Sequence, residues 1–481
     1  MVNVTFDYDT SRKKGIIVSD YLPNIREHFS VEDKQQVFKR RYAIGYRPQT
    51  RQYAITPQGR FEPRLIFSIL EFLQSQDIQF ETVLTSKFAQ AFTIPPLKEE
   101  LAKLNLDPRD YQEESILAAL KFKSGVIVLP TSAGKTLVIA LLVKSIQEQH
   151  DSKALILVPD IQLVAQTYSD FLEYGIPEEE ITKWTGSLEP DKNAKIVISN
   201  AQILLSEKQD LSLLKDIKLL VIDEVHKIRY GNKINKVVDK IPAHFRYGLT
   251  GTLPDNKIDQ WNIFGKIGKV IYHKQSVDLR DQNYISQVHV AALKLNYNNV
   301  PQFTIPSMHN PTAGYEEEIT WLQTNKFRND IITKLVNKQD KNTLIMVDRI
   351  AHGEELLRVL QENTNKAVHF VHGAIEIKER EMIRKLMEEQ DNVACIAISK
   401  IFSTGINIKN LHNIIFAAIG KARIKIIQSI GRSLRKHASK KRATIFDIWD
   451  NLRYGNKHVT ERLALYDREQ IPYSVTELTE P

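Results

Sequence analysis

"GVIVLPTSAGKTLVIALLVKSI", residues 125–146, decides the fold. A short β-branched run leads into a Gly-Lys-Thr turn and then into a long apolar stretch free of glycine and proline. That is strand, loop, helix, the context a phosphate-binding loop needs. Backbone N–H groups at the helix start face the phosphates, and the helix dipole favours their charge. The expected cradle is Pro130, Thr131, Ser132, Ala133, Gly134, Lys135 and Thr136. Gly134 lets the backbone approach closely. Lys135 would reach the β- and γ-phosphates, and the Thr136 hydroxyl would hold magnesium. Leu129 stands where the usual pattern has its first glycine. It lies at the strand end, where its side chain can point away from the loop, so binding need not suffer.

Working outward, short apolar runs alternate with helical stretches: "ALILVP" (154–159), "KIVIS" (195–199), "LLVIDE" (219–224) and "YGLTGT" (247–252). The texture returns in "TLIMVD" (343–348), "AVHFVHG" (367–373), "VACIAIS" (393–399), "NIIFAAI" (413–419) and "RATIFDI" (442–448). Such runs suit buried parallel strands joined by helical crossovers. The expected fold class is α/β, two tandem parallel-sheet lobes preceded by a small α+β domain. The expected bounds are 1–90 for that domain, 91–278 and 279–455 for the lobes, and 456–481 for a C-terminal tail. The join falls between about 275 and 310, where "NYNNVPQFTIPSMHNPTAG" (296–314) is polar and proline-rich. In the first domain Tyr42, Ile44 and Tyr46 alternate, as do Arg51, Tyr53 and Ile55, with "RPQT" between them, a hairpin signature. "LIFSILEFLQS" then puts Leu65, Ile69, Phe72 and Leu73 on one helical stripe.

The chain has 481 residues, and roughly 100–200 residues per domain implies about three units. Apolar residues make up 42% and charged residues 26%, as in an ordinary globular protein. The net charge of +8 favours an anionic partner, nucleic acid being the commonest. Cys395 is the only cysteine, so no disulfide or zinc cluster forms within the chain. His369 and His372, with no cysteine nearby, are weak evidence for a metal. "MVNVTFDYDTSRKK" has no apolar core and does not read as a signal peptide. No apolar run approaches the ~20 residues that span a bilayer. A cytoplasmic protein without a membrane partner is expected.

A phosphate loop alone is common to kinases, GTPases and motors, and other stretches separate these. "LLVIDEVH" (219–226) ends a strand with Asp223 and Glu224 adjacent, and their side chains diverge. Asp223 suits the magnesium shell and Glu224 the attacking water. In "RDYQEE" (109–114), Gln112 offers the paired donor and acceptor that an adenine edge requires. In "QSIGRSLRK" (428–436), Arg432 and Arg435 share a helix face, and two guanidiniums aimed at a γ-phosphate would stabilise its transition-state charge. "SKIFSTGINI" (399–408) is a strand-end loop that sets Gly405 to touch nucleotide or strand.

Together these stretches resemble the superfamily 2 helicases and translocases. The likeness runs from about 109 to 450 through "RDYQ", "LPTSAGKT", "LVPDIQLVAQ", "ISNAQIL", "VIDEVH", "LTGT", "STGINI" and "QSIGRSLR". Ser132 within "PTSAGK", "FSTGI" followed by "KNLHN", and "IGRSLRKHASK" bring it nearest to branch-migrating recombination helicases of bacteriophages. The resemblance implies two RecA-like lobes clamping ATP with magnesium, held by Thr136 and Asp223. It implies that His226 and the loop of Thr250, Gly251 and Thr252 couple hydrolysis to strand movement. It further implies that Gln428 and Arg432 sense the γ-phosphate and that Arg435 is the finger. Asn407, where many relatives have Asp, weakens the inference about ribose, and "DEVH" matches neither RNA-helicase subclass.

From the same resemblance, strand-gripping candidates are Gln162, Gln166, Gln202, His372, Ser399 and Thr404. The hairpin "KRRYAIGYRPQTRQYAITPQGR" (39–60) adds Arg40, Arg41, Arg47 and Arg51, with tyrosines interleaved and no acid. Phosphate contacts and stacking would bind DNA there, although a packed sheet with a basic outer face explains the same letters. The leading expectation is an ATP-dependent DNA helicase acting on branched or forked DNA. Its tasks would be fork regression, branch migration, or D-loop and R-loop unwinding in recombination, repair and replication. RNA would enter as part of hybrids. The chain would act as a monomer, in host cytoplasm were it of phage origin. An RNA helicase and a non-catalytic DNA-binding scaffold remain the alternatives.

Overall fold

The computed structural model describes residues 1–33, 36–37, 49–130, 133–186, 188–206, 210–282, 284, 287–305, 313–399, 410–417, 442–468 and 470–481. The chain divides into two compact units, Met1–Leu129 with Gly134–Lys274, and Gln275–Pro481 with Pro130–Ala133.

The first unit begins with a small mixed sheet. Strands β1 (Val2–Asp9), β2 (Lys14–Val18), β3 (Ser30–Glu32), β4 (Arg51–Tyr53), β5 (Arg60–Phe61) and β6 (Phe80–Leu84) follow in chain order. Four of them form a sheet ordered β5-β2-β1-β6, while β3 pairs antiparallel with β4. The expected hairpin partner of Arg51–Ile55 was the Tyr42–Tyr46 run, which lies outside the described residues. The strand that pairs with Arg51–Tyr53 is Ser30–Glu32. The helix Ile66–Gln74 buries Ile66, Ile69 and Leu73 on its inner stripe. They meet Val4, Phe6, Ile17, Phe61 and Phe88 in one apolar core.

This core is fastened to the rest of its unit. Lys266, 2% exposed, lies between Glu62 (3.0 Å) of the N-terminal domain and Asp239. Arg64 donates to the carbonyl of His244 at 3.0 Å, and the Phe29 and Trp261 rings meet edge-on at 5.2 Å. A Cβ on Gly265 would fall 2.2 Å from Glu62 Cβ, so only glycine permits so close an approach.

Seven parallel strands follow: β7 (Ser124–Val128), β8 (Lys153–Val158), β9 (Ile181–Trp184), β10 (Ile196–Asn200), β11 (Ile217–Asp223), β12 (Phe245–Thr250) and β13 (Val270–His273). Their order is β13-β7-β12-β11-β8-β10-β9. All five residues of β7 and of β10 are buried, as both faces of a helix-covered parallel sheet must be. The five central strands coincide with the apolar runs of the sequence. The edge strands β9 ("ITKW") and β13 ("VIYH") are half exposed and carry no such run.

The second unit holds another seven-stranded parallel sheet: β14 (Gln287–Asn296), β15 (Thr343–Val347), β16 (Ala367–Val371), β17 (Val393–Ile398), β18 (Asn413–Phe416), β19 (Arg442–Asp450) and β20 (Tyr473–Thr479). Their order is β16-β17-β15-β18-β19-β14-β20. Two expectations are corrected here. The region expected as a join contains β14, which pairs over nine positions with β19. The expected C-terminal tail carries most of the helix Arg453–Arg468 and the edge strand β20, paired with β14 from Tyr473 to Thr479. β20 escaped notice because "YSVTELT" is largely exposed and therefore polar. Buried charge knits this sheet to its helices. Arg328, fully buried, reaches Asp450 at 2.8 Å and the carbonyl of Ala417 at 2.9 Å. Arg462 and Tyr466 both donate to Asp447 at 2.9 Å. Among the described residues no helix is long and apolar enough to cross a membrane.

Candidate nucleotide site

The site lies where β7, β12 and β11 end. These three strands are neighbours in the sheet, so their C-terminal loops rise side by side. Leu129 is fully buried, and its N–H donates to the carbonyl of Thr250 at 2.9 Å. It therefore extends the strand ladder, and the loop proper begins after it, which explains why no glycine is needed there.

Gly134 caps the helix Lys135–Gln147 with φ of +74°, a left-handed conformation open to glycine at little cost. A Cβ there would lie 2.5 Å from Gln112 Nε2. Gln112, expected at an adenine edge, is 3% exposed and closes a capping box. Its Oε1 accepts from the N–H of Arg109 at 2.9 Å, and its Nε2 donates to the carbonyl of Gly134 at 3.4 Å. In this structure it braces the phosphate loop. Thr136 is in the first turn of the helix and half-buried. Thr131 and Ser132 lie outside the described residues.

At the end of β11 the chain turns through Glu224, whose φ is +52°. A non-glycine residue in that region is strained, and such strain gathers at functional sites. The turn separates the two carboxylates. Asp223 accepts the N–H of Glu224 at 2.9 Å, while Glu224 Oε1 stands 3.7 Å from Lys135 Nζ and Oε2 stands 3.2 Å from His226 Nδ1. Burial, and then the neighbouring Glu224 charge, push Asp223 up to about 6. Burial works against the Glu224 charge too, but Lys135 and His226 together outweigh it and hold Glu224 down to about 2.

His226 is 4% exposed, and its Nδ1 is 2.8 Å from Thr250 Oγ1. The Thr250 hydroxyl donates its own proton to the carbonyl of Thr252 at 2.8 Å. It can then only accept from His226, as does the Glu224 carboxylate. The proton therefore sits on Nδ1. One chain of contacts thus runs Lys135–Glu224–His226–Thr250–Thr252. Two buried asparagines pin the segment after His226. Asn235 donates to the carbonyl of Arg229 at 2.6 Å, and Asn262 to that of Ile228 at 3.4 Å. Sequence reasoning passed over both. The only signal was a polar residue on the inner face of each of the helices Lys233–Lys240 and Lys257–Lys266.

The remaining candidates are more scattered. Gln428, Arg432, Arg435, Gly405, Thr404, Arg40, Arg41 and Arg47 lie outside the described residues. Arg51 is engaged by Glu27 at 3.0 Å and Ser30 at 3.0 Å. Gln166 and Gln202 are exposed, whereas the side chain of Gln162 is outside the described set. Ser399, expected to grip a strand, is buried and turns its hydroxyl to the carbonyl of Val347 at 3.1 Å. His372 is half-buried against Phe370.

A phosphate-loop lysine, an acid pair and a histidine-linked threonine on one parallel sheet, followed by a second sheet of the same kind, define a nucleotide-hydrolysing motor. The chain belongs to the superfamily 2 helicases and translocases, which hydrolyse ATP. Residues 105–255 match the family described as "Type III restriction enzyme, res subunit", and residues 328–437 match "Helicase conserved C-terminal domain". The chain is 28% identical over 393 residues to the ATP-dependent DNA helicase uvsW of Enterobacteria phage T4, covering 76% of each chain. It is 26% identical over 314 residues to the DNA 3'-5' translocase XPB2 of Sulfurisphaera tokodaii, covering 64% of this chain and 63% of that one. In fold it resembles a fragment of a putative HsdR subunit of a type I restriction enzyme from Vibrio vulnificus, with a TM-score of 0.59 and 17% identity. That likeness covers 78% of this chain and 70% of that one.

Proposed function

We propose that the chain is an ATP-dependent DNA helicase or translocase that remodels branched DNA and uses magnesium with its nucleotide. The observation that carries this reading is the convergence of Lys135, Asp223 and Glu224 at one sheet edge, with His226 joined to Thr250 behind them. DNA as the track is supported by the two relatives, a DNA helicase and a DNA translocase. The net charge of +8 favours the same polyanion. The branched substrate rests on the motif likeness to branch-migrating helicases, with residues 1–90 as the domain that meets the branch.

Lys135 pairs with Glu224. A γ-phosphate would compete for that lysine and draw it toward the nucleotide. Burial, the largest influence on Glu224, would then raise the carboxylate and make it a stronger base for the attacking water. His226, held by its Nδ1 proton between Glu224 and Thr250, would carry that change to the loop after β12. A magnesium ion fits the donors, since a threonine hydroxyl and an aspartate carboxylate are hard oxygen ligands. The buried Asp223, pushed up to about 6, is stabilised as a carboxylate by a cation beside it. Bound there, the metal would neutralise phosphate charge.

ATP hydrolysis measured with forked duplex, a four-way junction and an RNA fork tests the reading. Stimulation by the DNA forks, with strand displacement, is expected. No stimulation by any DNA would overturn it, and equal stimulation by RNA alone would move the track assignment.

A further inference from the structure

Where the N-terminal domain meets the first parallel sheet there is a cleft of about 290 Å³ that the nucleotide site does not use. Arg12, Tyr53 and Arg60 line it from the N-terminal domain, and Tyr230, Trp261 and Asn262 from the other side. Its size is at the small end of ligand sites, which run from about 300 Å³. It admits one aromatic ring system rather than a dinucleotide.

The lining is basic as well as aromatic. Its one acid, Glu62, is already covered by Lys14 at 2.6 Å and Lys266 at 3.0 Å. Arg60 reaches Asp9 at 3.4 Å. Arg12 is exposed and forms no ion pair among the described residues. Tyr230, 51% exposed, sits at the lip. A stacking ring next to exposed positive charge is how proteins hold single-stranded nucleic acid. The walls are also pre-set. Trp261 is wedged against Phe29, and the N–H of Tyr230 is held by Asp259 at 2.8 Å. Asn262 grips the carbonyl of Ile228, two residues beyond His226.

We propose that this cleft receives one unpaired nucleobase of the DNA track, stacked on Tyr230, with its phosphate beside Arg12. The inference rests on DNA being the substrate. It assigns the described part of the basic stretch 39–60, through Tyr53 and Arg60, to gripping a displaced base rather than to general phosphate contact.

The test is photocrosslinking of a single-stranded oligonucleotide carrying 5-iododeoxyuridine, combined with affinity measurements on the wild-type chain and on Tyr230→Ala and Arg12→Ala. Both side chains are exposed, and circular dichroism checks that the variants fold. The expected result is a crosslink within the peptides holding Tyr53, Tyr230 or Trp261. Tyr230→Ala should weaken oligonucleotide binding about tenfold, as the loss of one stacked base does, and Arg12→Ala should flatten its salt dependence. If the wild type binds the oligonucleotide, yet the crosslink is absent and both variants bind as tightly, the cleft proposal falls while the DNA reading stands. If the wild type binds no DNA at all, the functional reading itself has failed. Saturable binding of dTMP alone, tighter than that of the oligonucleotide, would assign the cleft to a free nucleotide and overturn the proposal.

Discussion

His226 Nδ1 lies 2.8 Å from Thr250 Oγ1, joining the turn after β11 to the end of β12. The two residues are 24 apart in sequence and meet because β11 and β12 are neighbouring parallel strands. Thr250→Val keeps the shape and removes the acceptor, leaving His226 with Glu224 only. ATP binding should persist while DNA-stimulated turnover falls roughly tenfold, the rate equivalent of one hydrogen bond of about 1.4 kcal/mol. Steady-state phosphate release at saturating DNA measures it, and an unchanged rate would dissociate Thr250 from turnover.

Glu224→Gln retains the size of the side chain but not its basicity. The variant should bind ATP and lose roughly 10²–10⁴-fold in turnover. Lys135→Ala should fold normally, bind nucleotide more weakly and fail to turn over. A fluorescent nucleotide separates the two, because only the lysine variant should show weakened binding.

Gly134→Ala places a methyl group 2.5 Å from Gln112 Nε2 on a backbone with φ of +74°. Two costs are combined, a clash and a left-handed conformation of roughly 1–2 kcal/mol. Adding Gln112→Ala removes the clash, together with the bonds of Gln112 to Gly134 and Arg109, and leaves the left-handed conformation in place. Nucleotide affinity should therefore drop in the single variant and recover only in part in the double variant. Full recovery would show that the glycine serves Gln112 alone.

His352 is buried in the second unit, and its Nε2 accepts from Arg328 Nη1 at 3.2 Å. Arginine only donates, so His352 is neutral in the fold. Burial, and then the Arg328 charge, hold its pKa well below 6.5. The unfolded chain takes up a proton near 6.5 while the folded chain does not. Stability from this group is complete above pH 6.5 and is lost as pH falls below it toward the folded value. His352→Gln keeps an acceptor for Arg328 and cannot protonate. Between about pH 7 and 5 its denaturation midpoint should fall less than that of the wild type. Parallel curves would refute the assignment.

Local sequence was sufficient for the five inner strands of the first sheet and for β15, β17, β18 and β19 of the second, whereas the interior β14 fell within the expected join. Strands such as "GVIVL" and "TLIMV" are covered on both faces, so they must be continuously apolar, and that pattern is visible without a fold. The phosphate loop and the acid pair were legible for a similar reason, since Gly134, Lys135, Asp223 and Glu224 are chemical necessities at strand ends. Edge strands β9, β13 and β20 were not, because polar residues at their partly or fully exposed positions break the apolar run. Which residues meet was decided by tertiary structure. Gln112 read as an adenine contact, and only the packing of its helix shows that it lies against Gly134. Arg51 looked like a phosphate contact until the fold brought Glu27 to it. Tyr53 and Tyr230 are 177 residues apart and share a cleft only because the N-terminal domain docks on the first lobe. Burial and chain direction are written in neighbouring residues. Contact between distant ones depends on strand order and docking, which no local pattern encodes.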